Sequence, residues 1–313
     1  MCGIAGYLSK TGGDGPVGRT MLAMLDALGR RGPDSSGVAL FRAQATETEG
    51  CWIRLPFGYP NPGETEVELR ARIEPVARIE RMERDDDLVR LELLRQTDVA
   101  GLRAAIERPG EDVEIVSLGR YLELVKEVGA PGALERRHRV AAMRGSHAIG
   151  HTRLSTESRV DLSHSQPFWA GGVPDLATVH NGHITNYHKL RRIYEQRGVR
   201  FFTENDSEVI GVYLADQLGR GLSLEEALAA SLDDLDGSFT YLVATPDGLG
   251  YARDRFALKP LITVETDDYV AIANEEIAIR SALGPRGVAH EPTGHVYRMW
   301  SRTPAATPVA AGA

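Results

Sequence analysis

The second residue of the sequence is a cysteine and the third a glycine, Cys2-Gly3. A leading methionine is routinely removed when its neighbour is small, and loss of Met1 would leave Cys2 first in the chain. Such a cysteine holds a nucleophile and a base together. The thiol attacks, and its own α-amino group, with a pKa of about 8, takes the proton directly or through water. Thiolate is the reactive form, so a nearby cation or oriented amide raises its activity. Taken alone, Cys2 reads first as a small apolar residue tucked under a strand. In the same way Arg153 and Asp206 read as a structural ion pair, and Asn181-Gly182 as a turn at a strand end. The histidines pair as His147 with His151 and His180 with His183. A helix would put such pairs on one face for a metal. Both segments read instead as strand and loop, without a cysteine cluster or HExxH, so no metal site is expected. Neither GxGxxG nor a Walker-type loop occurs, and no nucleotide cofactor is implied.

Six short motifs in order change the weight of these residues. Cys2-Gly3-Ile4-Ala5-Gly6 with Arg30-Arg31-Gly32-Pro33-Asp34-Ser35 resembles the opening of class II glutamine amidotransferases, which are N-terminal-nucleophile hydrolases. Gly150-His151-Thr152-Arg153-Leu154-Ser155-Thr156 resembles that family's glutamine-binding strand and loop, and His180-Asn181-Gly182-His183-Ile184 its oxyanion segment. Asn205-Asp206-Ser207-Glu208 resembles its acidic substrate-binding segment. Ala252-Arg253-Asp254 with Lys259-Pro260-Leu261, and Ala273-Asn274-Glu275-Glu276, resemble later motifs. The ordered set, spanning 2–276, is the specific signal.

The resemblance implies glutamine as substrate and assigns roles. Cys2 forms a γ-glutamyl thioester, while the Asn181 side chain and the Gly182 N–H hold the tetrahedral oxyanion. Arg153 takes the α-carboxylate, for which a guanidinium fork is suited, and Asp206 takes the α-ammonium. Opposed grips of this kind explain selectivity for a free amino acid. Arg31 and Thr156 join the substrate-binding set, and the 30–37 loop closes over the substrate. The implied fold is α+β: the four-layer αββα sandwich of N-terminal-nucleophile hydrolases, with a small inserted α+β segment. The amidotransferase domain is expected over 2–300, interrupted at about 42–140, with a flexible tail at 301–313. A stand-alone amidotransferase subunit is expected, feeding ammonia to a separate synthase. The wording HTRLSTES, HNGHITNYHKL and TENDSEVI most resembles the subunits of split glutamate-synthase-like systems, including the N-methylglutamate synthase type. No cofactor is expected on this chain; FMN and iron–sulfur clusters belong to such a partner. Two other readings are kept: an N-terminal-cysteine hydrolase of another amide, and a catalytically silent assembly subunit.

These residues need elements to position them. Residues 2–9 read as a buried strand, 20–29 as a helix closed at Gly29, and 38–41 as a strand. Within the charged, proline-bearing stretch 42–140, 67–73 and 88–94 alternate like strands, and 99–107 reads as a helix. In the same stretch 112–118 reads as a strand and 119–128 as a helix. That unit reads as a solvated elaboration of the main fold or, alternatively, as a partner-docking unit. Beyond 146 come strands at 147–153 and 176–184, and helices at 185–196 and 206–219, the last capped by Asp206. Ser223 and Glu226 make a capping box, and four antiparallel strands follow between about 237 and 276.

The whole chain fits that picture. It has 313 residues, 42% hydrophobic and 26% charged, which excludes wholesale disorder and allows a full core. A net charge of −8 argues against nucleic acid as the main partner. No apolar run is long enough to span a membrane. Two cysteines, Cys2 and Cys51, without a disulfide framework, and a terminus unlike a secretory signal, point to the cytoplasm.

Overall fold

The computed structural model describes residues 2–56, 58–59, 61–94, 98–155 and 159–302. In chain order its elements begin with β1 (Gly3–Ser9), α1 (Val17–Leu28) and β2 (Ser35–Phe41). Next come β3 (Glu49–Arg54), α2 (Pro62–Ile73), β4 (Ile79–Asp85), β5 (Leu88–Leu93), α3 (Val99–Ile106) and β6 (Glu114–Gly119). Then follow β7 (Leu122–Val128), α4 (Pro131–His138), β8 (His147–Arg153), β9 (Phe168–Trp169) and β10 (Ala177–Ile184). The helices α5 (Tyr187–Gln196), α6 (Ser207–Gly219) and α7 (Leu224–Asp234) precede the hairpin β11 (Gly237–Thr245) and β12 (Gly248–Arg253). The last elements are β13 (Ile262–Glu265), β14 (Tyr269–Ala273), α8 (Glu276–Leu283), β15 (Ala289–His290) and β16 (Val296–Ser301).

Side chains alternate across a strand, and here both faces of the central strands are buried. In β1, Ile4 and Leu8 point to one face and Ala5 to the other, and all three are fully buried. Ile4, Leu8, Ile149, Val179 and Leu242 fill the space between two sheets. One sheet runs β15-β13-β14-β1-β8-β2-β7, the other β16-β12-β11-β10-β9. The far face of the first packs Ala5, Val38 and Ala271 against Met21 and Leu25 of α1 and Ile279 of α8. The far face of the second packs Tyr241 and Val243 against Ile210 of α6 and Leu228 of α7. Each such Leu or Ile contributes about 1.5–3 kcal/mol by leaving water. Helix, sheet, sheet, helix is the four-layer αββα sandwich that the motifs imply.

The third sheet, β4-β5-β3-β6, hangs from the tip of a hairpin. β2 and β7 pair antiparallel from Ser35–Val128 to Phe41–Leu122. The Arg42 N–H then donates to the Tyr121 carbonyl and the Thr46 N–H to that of Arg120, both at 2.9 Å, closing the neck. The separate unit is therefore Glu49–Gly119, and β7 returns to the large sheet.

Two segments differ from their sequence reading. Residues 67–73 belong to helix α2, not a strand. Asn61 caps its start by accepting from the Glu64 N–H, and Thr65, Leu69 and Ile73 are buried at four-residue spacing. Residues 122–128 form strand β7, not a helix: Leu122, Leu124 and Lys126 point one way, and a lysine in the buried row hides the period of two. Ser301 closes β16, so the expected tail is shorter at its start; residues 303–313 lie outside the described residues.

Candidate active site

Strand parity brings the candidate residues together. Cys2 shares the inter-sheet face of its strand with Ile4, Arg153 with Ile149, and Asn181 with Val179. The pairing of Gly3 with Thr152 sets Cys2 at the end of β1, beside Arg153 at the end of β8. The Cys2 Sγ lies 3.9 Å from the Leu154 carbonyl oxygen. Arg31, in the loop after α1, donates from Nε to the Cys2 carbonyl at 3.1 Å and pairs with Glu275. A cleft of about 580 Å³ opens here between Arg30, Arg31, Leu154 and Ile277.

Arg153 is buried, and its Nη1 donates to the Arg159 carbonyl at 2.7 Å. Burial lowers its pKa, while the neighbouring Cys2, Asp161 and Asp34 act in the other direction. The 30–37 loop is laid directly against it. A Cβ on Gly32 would come within 2.5 Å of the Arg153 backbone, so only glycine allows this approach. Asp34 locks the loop by donating its N–H to the Arg153 carbonyl at 3.0 Å and accepting the Ser155 N–H at 2.8 Å.

Asn181 and Gly182 lie on β10 of the facing sheet, paired with Thr240 and Phe239. The buried Asn181 Nδ2 has no hydrogen-bond partner among the described residues. Gly182 has φ +143°, and a Cβ there would sit 2.2 Å from the Ser238 carbonyl oxygen. His180, which precedes Asn181, is held by the facing sheet, a loop and a helix. The His180 N–H donates to Gln166 Oε1 at 2.6 Å, and its carbonyl accepts from His151 Nε2 at 3.2 Å. Its ring Nδ1 lies 2.8 Å from Ser207 Oγ. Burial lowers the pKa of His180 and pushes that of His151 down to about 3, so both rings are neutral near pH 7.

Asp206 does not cap α6 with its side chain; it has helical φ and ψ, and its Oδ2 accepts the Ile184 N–H at 2.7 Å. Asn205 Oδ1 takes the Ser207 N–H instead, at 3.0 Å. Asp206 is thus tied to the strand bearing Asn181 and Gly182. Arg153 and Asp206 are engaged with different backbone groups in the structure. Thr156 lies outside the described residues.

Sequence reasoning left three contributors among the supporting residues or outside the site. Asn274, within the last motif, accepts the Ile4 N–H and donates its own N–H to the Ile4 carbonyl, fixing β1 two residues from Cys2. Gln166 joins His180 to Ser207, and Glu275 holds Arg31. Asn274 and Glu275 were visible in the AlaAsnGluGlu motif, and Gln166 in the segment 164–168, which by resemblance lies between the arginine and the oxyanion loop and reads only as supporting structure.

Two face-to-face antiparallel sheets between helical layers, with a cysteine leading into a central strand, define an N-terminal-nucleophile hydrolase fold. The B. subtilis glutamine phosphoribosylpyrophosphate amidotransferase superposes with a TM-score of 0.62 at 17% identity, over 98% of this chain and 50% of that one. Residues 151–281 match the glutamine amidotransferase domain family. A provisionally named glutamine amidotransferase of Methanothermobacter thermautotrophicus is 37% identical over 95% of this chain and 98% of its own length. The glutamine amidotransferase-like protein GlxB of Rhizobium meliloti is 36% identical over 97% and 96%. The chain belongs to the class II glutamine amidotransferases and is an amidohydrolase of that class. Among the described residues, no helix is long and apolar enough to cross a membrane.

Proposed function

We propose that the chain hydrolyses the side-chain amide of L-glutamine on Cys2, exposed by removal of Met1, and passes the ammonia to a separate synthase. The α-amino group takes the thiol proton as sulfur attacks the amide carbon. The tetrahedral intermediate collapses to a γ-glutamyl thioester, and the leaving nitrogen departs as ammonia with that proton. Water then attacks the thioester, giving glutamate and restoring the thiol. The observation that carries this reading is the buried Asn181 Nδ2, without a partner among the described residues, beside the Gly182 N–H and on the same inter-sheet side as Cys2. Two such donors stabilise the oxyanion by about 3 kcal/mol each. Arg153 and Asp206 grip the carboxylate and the ammonium, and Thr156 is assigned to glutamine binding by its motif alone. The contacts of Arg31 favour a part in holding Cys2 over a direct grip on glutamine.

A synthase in trans fits the relatives: two glutamine amidotransferase relatives are matched over 98% and 96% of their own length. A Synechocystis amidophosphoribosyltransferase is matched over only 37% of its length. By the motif wording, the acceptor is of the glutamate-synthase type, with flavin and iron–sulfur clusters on that partner and a cytoplasmic setting.

The test is the intact mass of untagged protein before and after a glutamine-mimicking diazoketone, with glutamine as competitor. Loss of one methionine and a single glutamine-protected adduct on Cys2 are expected. An adduct elsewhere, or one that glutamine fails to block, would remove Cys2 from its assigned role.

A further inference from the structure

A buried carboxylate of the inserted sheet reaches into the catalytic layers. Glu114 opens β6 and is buried. Its Oε2 accepts from Ser163 Oγ at 2.6 Å and from Arg54 Nε, on the neighbouring β3, at 3.1 Å. Arg54 is braced in turn by Asp112 at 2.7 Å. Ser163 lies in the centre of the segment 159–166. One end of that segment gives Arg153 its carbonyl partner, Arg159, and the other ends at Gln166, which holds His180 and Ser207.

The same carboxylate borders a cavity of about 30 Å³ shared with Lys126 and Glu208. That volume admits a water molecule. Glu208 lies two residues beyond Asp206 and accepts the N–H groups of Phe202 and Thr203, both at 3.0 Å. The two segments also meet directly, since Asn205 Nδ2 donates to the His164 carbonyl at 3.4 Å. A buried charge of this kind, bonded across a unit boundary, fixes the register of what it touches.

We propose that Glu114 is a positioning residue for glutamine binding. Through Ser163, and beside Lys126 and Glu208, it sets the two segments that orient Arg153 and Asp206. The inserted unit thereby becomes part of the glutamine site without touching the substrate. This rests on the reading of Arg153 and Asp206 as the glutamine grips.

The test measures how much glutamine half-protects Cys2 from iodoacetamide in the full chain, alongside the alkylation rate without glutamine. The variants are Glu114→Gln, Ser163→Ala, Ser163→Thr and Arg153→Lys. Glu114→Gln and Ser163→Ala should each raise the half-protecting concentration roughly fivefold to tenfold, as loss of a charge-assisted bond would. The unprotected rate should stay within about twofold. Ser163→Thr, which restores the hydroxyl, should recover most of the affinity, and the double variant should add little to either single one. A structural role alone would lower thermal stability and leave the half-protecting concentration of the folded fraction unchanged, which would overturn the proposal. Ser163→Ala, a single lost hydroxyl, keeps the test open if Glu114→Gln fails to fold. Arg153→Lys separates the two layers of argument. If it weakens protection while Ser163→Ala does not, the positioning role alone falls. If glutamine never protects Cys2 in the parent chain, the glutamine reading falls, and the proposal with it.

Discussion

At the scale of single residues, the candidate site divides into donors kept free and donors already engaged. Asn181 is the clearest of the first kind, because a buried amide nitrogen without a partner costs stability, and its Nδ2 has none among the described residues, beside a glycine that tolerates no side chain. Removing it should therefore cost rate and not folding. Asn181→Ala is expected to lower kcat about 10²-fold to 10³-fold with a small change in KM, the signature of a group used only in the transition state. Arg153→Lys should do the reverse, raising KM roughly tenfold or more, since a lysine cannot reproduce the two-pronged contact. Steady-state glutaminase kinetics on both variants check the contrast. Equal losses in kcat for both would contradict the division of roles.

At the scale of elements, what was legible depended on how regular and how local the pattern was. The strands β1, β8 and β10 and the capping box at Ser223 and Glu226 could be read directly, because their patterns are regular and their caps local. β7 was hidden by Lys126, and α2 by a reading window that began past its Asn61 cap. Cys2, Arg153, Asn181 and Asp206 were legible as a set only through ordered motifs. The ties of Gln166, Glu114 and Ser163 connect residues distant in sequence, and no local pattern reports them. The segment 159–166 illustrates the energetic side. Its His164 is raised in pKa, first by the hydrogen bond to Asp161 at 2.7 Å and against its own burial, with Glu204 adding and Arg153 opposing. Burial alone would raise Asp161, but the bonds from the His164 ring and N–H hold its carboxyl at about 2. A folded-state pKa raised above 6.5 means that the His164 contribution is whole below pH 6.5 and is lost as pH climbs through the raised value. The Asp161 contribution has the opposite sense and is lost as pH falls from 3.8 towards 2. Thermal midpoints from pH 5 to 9 should thus fall more steeply for the parent chain than for His164→Asn. Parallel curves would show that the pair contributes nothing.

At the scale of the whole molecule, the question is whether the inserted unit is a passenger or part of the fold. Its own core, with Cys51, Ile53, Val89, Leu91 and Leu118, is continuous with the inter-sheet residues Ile4, Ile149 and Leu242 through Leu122 and Leu124 of β7. A unit with a separate core unfolds separately, whereas one whose apolar contacts run without a break into its neighbour loses them together. The bond from Ser163 to Glu114 works in the same direction, since either side unfolding alone breaks a buried charge-assisted hydrogen bond. The three tryptophans make this measurable. Trp52 sits on β3 of the inserted sheet, while Trp169 and Trp300 are buried in β9 and β16 of the five-stranded sheet. Denaturant unfolding should therefore give the same midpoint for Trp52 fluorescence, followed in Trp169→Phe/Trp300→Phe, as for Trp169 and Trp300, followed in Trp52→Phe. Far-UV circular dichroism on each variant corrects for any change in its overall stability. A Trp52 transition at clearly lower denaturant would mean that the inserted sheet melts first. Its hold on Ser163 would then be a fluctuating one, available to a partner that binds the insert and through it changes the grip on glutamine.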